Sequence, residues 1–120
     1  MKYSESLKKY DQFQFVYKNG KSYANKYLVM YVKENGLGKN RIGISVSKKV
    51  GNSVVRHRVT RLIRESYRLH ENIFNSGLDI VIVGRPGAAT VGYQEVESAL
   101  LHLGKLHKMI KIYFYMNEEE

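Results

Sequence analysis

Three stretches of the chain carry the hydrophobic pattern of β-strands. Residues 41–47 alternate strictly between apolar side chains and Gly or Ser, as a strand with one buried face does. Residues 27–33 are rich in β-branched and aromatic residues, and residues 79–84 form a short apolar run typical of a strand buried on both faces. The Asn- and Gly-rich segment 35–40 predicts a hairpin between the first two strands.

Three further stretches repeat apolar residues at helical spacing and predict helices over residues 6–18, 54–70 and 91–110. Asn19 and Gly20 give the first helix a C-terminal stop. The order α-β-β-α-β-α predicts an α/β fold, a two-layer sandwich around a small mixed sheet. The predicted N-caps, in chain order, are Ser4 or Ser6, Asn52 or Ser53, and Thr90.

Composition limits the class of protein. A chain of 120 residues suits a single domain over residues 1–120. The absence of cysteine excludes disulfides, thiolate zinc sites and cysteine nucleophiles, and it fits a reducing cytoplasm. The apolar runs are far shorter than the roughly 20 residues that span a bilayer, and no secretory signal stands at the N-terminus. We therefore expect a cytoplasmic protein without a membrane partner.

The net charge of +9 is concentrated in one part of the sequence. Residues 41–70 contain eight Lys and Arg against the single acid Glu65, whereas residues 71–120 contain four basic and seven acidic residues. Such an excess can be a solvated surface or a binding surface for a polyanion. Because it is dense, local and mostly arginine, it favours a nucleic-acid partner.

The helix predicted over residues 54–70 separates its apolar and basic residues. At 100° per residue, Val59 and Ile63 fall on one side and a row of basic side chains falls on the other. Few acidic neighbours offset the repulsion between these charges, which an external polyanion would relieve. The basic positions are His57, Arg61, Arg64 and Arg68, with Arg56 and Arg58 beside the row and Lys48 and Lys49 in the turn before the helix.

Residues 45–65 resemble the signature of the bacterial ribonuclease P protein. The likeness rests on Lys48-Lys49-Val50-Gly51, followed by Arg56-His57-Arg58 and an arginine-rich helix. Within it, His57 stands where the family pattern has Asn. The resemblance covers about residues 3–110 and leaves 111–120 unplaced. Upstream support comes from Leu7-Lys8-Lys9, Phe13, Lys18-Asn19-Gly20 and Ala24-Asn25.

The resemblance implies a fold, an activity and partners. The family fold contains a left-handed βαβ crossover. The holoenzyme removes the 5′ leader of precursor tRNA, and the catalyst is the RNA subunit, which binds most of the Mg²⁺. The protein then has no catalytic or metal-binding residue of its own and no stable protein partner. It binds the catalytic RNA through Lys48, Lys49, Arg56, His57, Arg58, Arg61, Arg64 and Arg68.

A second candidate surface is aromatic. Phe13 and Tyr17, together with Tyr10, lie on one side of the first predicted helix, and Tyr31 shares a strand face with Tyr27. Small residues at 43, 45 and 47 would leave a trough beside them, in which bases of a single strand can stack. Ordinary core packing explains the same pattern. The resemblance assigns Phe13, Tyr17 and Tyr31 to binding of the precursor tRNA leader.

The sequence does not indicate a zinc site, a serine nucleophile or a nucleotide-binding loop. His102 and His107 are five residues apart and do not share a helix face, so they do not form a zinc pair. No Ser-His-Asp arrangement and no nucleotide-binding glycine loop is present. Two hypotheses remain: a ribonuclease P protein subunit, and a non-enzymatic RNA-binding protein such as a ribosomal protein. A helix-turn-helix DNA-binding protein is disfavoured, because the basic helix follows a strand.

Overall fold

A computed structural model describes residues 1–111, in which three helices surround one five-stranded sheet. The aromatic tail at 112–116 lies outside the described residues. The strands are β1 (Ser4–Ser6), β2 (Lys21–Ala24), β3 (Leu28–Glu34), β4 (Asn40–Val46) and β5 (Leu78–Gly84). The helices are α1 (Tyr10–Asn19), α2 (Ser53–His70) and α3 (Tyr93–Leu106), with 3₁₀ turns at Glu71–Ile73 and Pro86–Thr90.

The sheet has the order β1-β4-β5-β3-β2, with the most apolar strand at its centre. β5 pairs in parallel with β4 and antiparallel with β3. The predicted hairpin over residues 35–40 is therefore wrong, because β5 lies between β3 and β4. Ile80, Val81 and Ile82 are fully buried, as the sequence predicts for a strand covered on both faces. β4, α2 and β5 form the βαβ crossover; its left-handedness stays a prediction of the resemblance.

Two edge strands are absent from the predicted order. β1 (Ser-Glu-Ser) pairs in parallel with β4, and β2 (Lys-Ser-Tyr-Ala) pairs with β3. Both are short and mostly polar, so neither carries a hydrophobic alternation that could reveal it. Polar and lysine-bearing residues suit edge strands, since they discourage pairing with other chains. The mixed α/β class is confirmed.

The helices cover both faces of the sheet. α2 and α3 pack over the face that bears Ile80 and Ile82, where they build the main core. α1 packs on the other face, against Val81. The predicted two-layer sandwich thus describes the sheet with α2 and α3, and α1 adds a partial third layer. No helix within residues 1–111 has the length and apolarity needed to cross a bilayer.

Helix boundaries follow from the hydrogen bonds at each end. α1 begins at Tyr10, not at residue 6, because the preceding residues continue the sheet and the Leu7 N–H donates to the carbonyl of Ile42. Ser4 and Ser6 therefore do not cap it. The predicted stop holds, since α1 ends at Asn19.

The caps of α2 and α3 differ in how well the sequence predicts them. Asn52 caps α2, accepting a 3.0 Å hydrogen bond from the Val55 N–H, as predicted. α3 begins at Tyr93 and ends at Leu106, so it is shorter than the predicted 91–110. Its N-cap is Gly92, not Thr90, because the preceding 3₁₀ turn includes Thr90.

Candidate RNA interface

The solvent face of α2 carries the predicted row of basic side chains. His57, Arg61, Arg64 and Arg68 are all exposed, while Val59 and Ile63 on the opposite side are fully buried. His57, Arg61 and Arg64 have no hydrogen-bond or ion-pair partner among residues 1–111. These three side chains, here called the free basic row, can donate to an external anion without breaking an internal contact.

Arg68 is different because a neighbouring acid already binds it. Its Nη2 lies 2.5 Å from Oε1 of Glu65, and its Nε lies 3.1 Å from Oε2. The hydrogen bond from Arg68 holds the pKa of Glu65 below its usual range. The pair is exposed, so the arginine can exchange partners, but it offers less net charge to a ligand than Arg61 or Arg64.

Arg58 faces the loop before α3 instead of the solvent. Its guanidinium donates to the carbonyl of Ala89 at 3.3 Å and to the carbonyl of Val91. Arg56, two residues earlier on the other flank, has its Nε buried without a hydrogen-bond partner among residues 1–111. The two arginines beside the row are thus half-buried, and Arg58 joins α2 to the chain that leads into α3.

Lys48 and Lys49 lie exposed in the turn that joins β4 to the N-terminus of α2. Ser47 closes this turn, since its carbonyl accepts a 3.0 Å hydrogen bond from the Val50 N–H. Val50 is buried in the main core and anchors the turn. Both lysines therefore extend the positive surface beyond the first turn of α2.

Phe13, Tyr17 and Tyr31 meet where α1 crosses the sheet. The ring centroids of Tyr17 and Tyr31 are 4.9 Å apart in an edge-to-face arrangement, and those of Phe13 and Tyr17 are 6.4 Å apart. All three rings are partly buried over the small core of Leu7, Val16 and Val81. Part of each ring therefore stays accessible to solvent, and the three rings with the adjacent sheet face are here called the aromatic trough.

Two other tyrosines do not join this cluster. Tyr10, at the start of α1, is 75% exposed. Tyr27 packs against the main core on the opposite side of the sheet. Neither takes part in the aromatic trough.

The sheet face beneath and beside the three rings contains residues that the predicted hairpin concealed. Register places Val81 between Tyr31 and Gly43, and Val83 between Val29 and Ser45. Continuing the same alternation, exposed Arg85 follows Val83 at the end of the trough. Its Nη1 donates to the carbonyl of Asn25 at 2.7 Å. The alternation of residues 81, 83 and 85 could have placed them on one face of the sheet. It does so, however, only once β5 is known to lie at the centre of the sheet.

Gly43 sets how closely α1 approaches the sheet. A Cβ atom at this position would lie 2.6 Å from Cζ of Phe13, closer than any real contact. The absence of a side chain at Gly43 therefore lets the Phe13 ring rest on the strand. The prediction that small residues on β4 leave an open trough is wrong at Gly43, because the Phe13 ring covers this residue.

The comparisons with known proteins agree with this geometry. The sequence model of the family described as Ribonuclease P matches residues 1–108. The chain belongs to the ribonuclease P protein family. It is 71% identical to the ribonuclease P protein component of Lachnoclostridium phytofermentans over 107 residues, which is 89% of this chain and 92% of the relative. It is 52% identical to that of Alkaliphilus metalliredigens over 110 residues, or 92% and 99% of the two chains.

Solved structures of ribonuclease P proteins share the fold. The protein from Staphylococcus aureus superposes with a TM-score of 0.81 at 36% identity, covering 88% of this chain and 97% of that one. The protein from Thermotoga maritima gives a TM-score of 0.77 at 31% identity, with coverage of 84% and 96%. The function follows: this chain is a subunit of the ribonuclease P holoenzyme, which processes the 5′ end of tRNA, and its partner is the ribonuclease P RNA. The family match decides against a ribosomal protein.

A protein site for a metal ion would need several His, Asp or Glu side chains close together. Within residues 1–111, no three His, Asp or Glu side chains lie close enough together to share a metal ion. His107 donates through Nε2 to the carbonyl of Met30 at 2.8 Å, and burial lowers its pKa. His102 contacts Asn25 instead.

Proposed function

We propose that this subunit binds two RNAs on two surfaces: the catalytic RNA on the outer face of α2, and the 5′ leader of precursor tRNA in the aromatic trough. The observation that carries the proposal is the free basic row, in which Arg61 and Arg64 project from the solvent face of α2 with no partner among residues 1–111. Guanidinium groups pair with phosphate bidentately, so such a row suits an RNA backbone.

The aromatic trough suits a single strand of variable sequence. Bases stack on aromatic rings whatever their identity, and each stacked base contributes about 1–3 kcal/mol. Phe13, Tyr17 and Tyr31 supply the rings. Arg85, Lys48 and Lys49 follow the ends of the parallel strands β5 and β4, so they supply positive charge for the leader's phosphates at one end of the trough. A leader that has no fixed sequence can therefore bind there.

β4 connects the two surfaces. Gly43 and Ser45 face the trough, and the same strand runs on through the lysine turn into α2. A leader in the trough and a catalytic RNA on α2 would therefore be held at a fixed distance by one rigid strand. In this arrangement the protein contributes binding and orientation, while Mg²⁺ is held mainly by the RNA, and no protein side chain acts as catalyst.

Reconstitution with the cognate catalytic RNA at limiting Mg²⁺ tests the proposal. We expect no cleavage by the protein alone and faster cleavage of precursor tRNA when protein is added to the RNA. Phe13→Ala should weaken binding of precursor tRNA more than binding of leaderless tRNA. Phe15→Ala is the matched control, because Phe15 lies two residues away on α1 and is 54% exposed outside the trough.

Two results would contradict the proposal. Reconstitution without any protein-dependent gain would refute the joint role of the two surfaces. If Phe13→Ala weakened both substrates equally, the ring would serve the core of the protein and not the leader.

A further inference from the structure

A groove of about 500 Å³ runs beside the free basic row, between α2 and the start of α3. The proposed function uses Arg61 and Arg64 at its rim but neither Leu62 nor Tyr93. The groove differs from the rest of the basic surface because one wall is aromatic and apolar. The lining residues are Arg58, Arg61, Leu62, Arg64, Glu65 and Tyr93.

The charged side chains of the groove differ in whether they already have partners among residues 1–111. Arg61 and Arg64 stand at the rim without a partner in the described part of the chain, and Arg58 is held by the loop carbonyls on the α3 side. Glu65, the one acid in the lining, is occupied by Arg68. The rim therefore attracts a polyanion, although an acid lies in the wall.

Tyr93 is fixed in its place on the α3 wall. Its hydroxyl donates to Oε2 of Glu97 at 3.2 Å. Burial, and then the charge of Glu97, raise the pKa of Tyr93, so the ring stays neutral at physiological pH. A neutral ring that is already oriented loses little entropy when a flat group packs against it.

We infer that this groove takes one unpaired nucleotide of the ribonuclease P RNA. Its base packs against Tyr93 and Leu62, and its flanking phosphates lie on Arg61 and Arg64. Leu62 and the ring of Tyr93 offer no donor to a phosphate, so this wall suits the flat face of a base, while the arginines at the rim suit the phosphates. The inference rests on the proposed binding of catalytic RNA to α2, to which it adds a base contact on α3.

Photocrosslinking of the wild-type protein to the catalytic RNA tests this directly. We expect ultraviolet irradiation to yield a crosslinked peptide that contains Tyr93. Crosslinks confined to peptides of α2 would overturn the inference. Because this experiment uses the unaltered protein, it decides the question even if a Tyr93 variant is unstable.

Binding of the catalytic RNA by variants supplies the second readout. Tyr93→Leu should raise the Kd by about 5-fold to about 150-fold, the equivalent of one lost base stack. The dependence of log Kd on log salt should keep its slope, because no phosphate contact is lost. Tyr93→Phe keeps the ring and should bind nearly as wild type. Tyr10→Leu, the same change at an exposed tyrosine of α1, is the matched control.

The outcomes separate the two proposals. If Arg61→Ala flattens the salt dependence while folded Tyr93→Leu keeps the wild-type Kd, α2 remains the interface and the base contact is refuted. An unchanged salt dependence in Arg61→Ala would refute binding through α2, and the inference would fail with it.

Discussion

Replacing Gly43 with alanine should displace the Phe13 ring without deleting any side chain from the trough. The new Cβ would lie 2.6 Å from Cζ and 2.8 Å from Cε1 of Phe13, and 3.3 Å from Cβ of Leu7. Carbon atoms in contact are ordinarily about 3.5–4.0 Å apart, so the ring edge has to move by about 1 Å. Leu7 is buried and its backbone is bonded to β4, so the partly exposed Phe13 is the residue that yields.

The expected magnitudes differ between folding and binding. Adding a methyl group to a packed site typically costs about 1–3 kcal/mol, and the low end applies here because the ring can rotate toward solvent. A base that stacks on the displaced ring loses a contact worth about 1–3 kcal/mol. We therefore expect a loss of about 1 kcal/mol in unfolding free energy and a rise of about 5-fold to about 150-fold in the Kd for leader-bearing substrate.

The assay compares precursor tRNA with leaderless tRNA, both bound to the reconstituted holoenzyme. Gly43→Ala should weaken only the leader-bearing substrate. Gly38→Ala is the control, because a methyl group at Gly38 would meet nothing within 4 Å. Reduced stability with unchanged binding of both substrates would show that the leader does not contact the Phe13 ring.

Four other variants test the arginines of α2 and the half-buried His107. Arg61→Ala should reduce the slope of log Kd against log salt for the catalytic RNA by about one unit, and Arg68→Ala should reduce it less, because Glu65 already offsets that charge. Arg58→Ala should lower the free energy of unfolding by about 1–3 kcal/mol in chemical denaturation, since two hydrogen bonds from a charged donor are lost. Burial lowers the pKa of His107, so the unfolded chain binds a proton first as the pH falls below about 6.5, and the folded state loses stability there. Thermal unfolding between pH 7 and pH 5 should accordingly show a smaller fall in Tm for His107→Gln than for wild type.

The wrong prediction of a hairpin between β3 and β4 shows what a local sequence pattern can determine. The turn at residues 35–40 has the chemistry of a hairpin, and Gly36 does adopt a positive φ of 69°. Which strands pair, however, depends on competition between segments far apart in sequence. The run from Ile80 to Val83 is apolar on both faces and gains most from the central position, so it separates β3 from β4.

The same limit of local sequence patterns applies to the basic row of α2 and to the groove beside it. Helical periodicity alone placed His57, Arg61, Arg64 and Arg68 on the solvent face of α2, where the structure has them. Periodicity could not reveal the groove with Tyr93, because that residue belongs to another helix and meets α2 only through tertiary packing.

The number of arginines overstates the number of phosphate contacts that this protein can make. Three of the six arginines in residues 41–70 are engaged within the protein: Arg41 in two hydrogen bonds to Asp79, Arg58 with loop carbonyls, and Arg68 with Glu65. Each phosphate contact contributes about 0.7–0.9 to the salt slope, depending on the nucleic acid. If all six arginines bound phosphate, the slope of log Kd against log salt would therefore be steeper by about 2–3 units than if only Arg56, Arg61 and Arg64 did. Measuring the slope thus distinguishes a surface described by charge alone from one in which part of the charge maintains the fold.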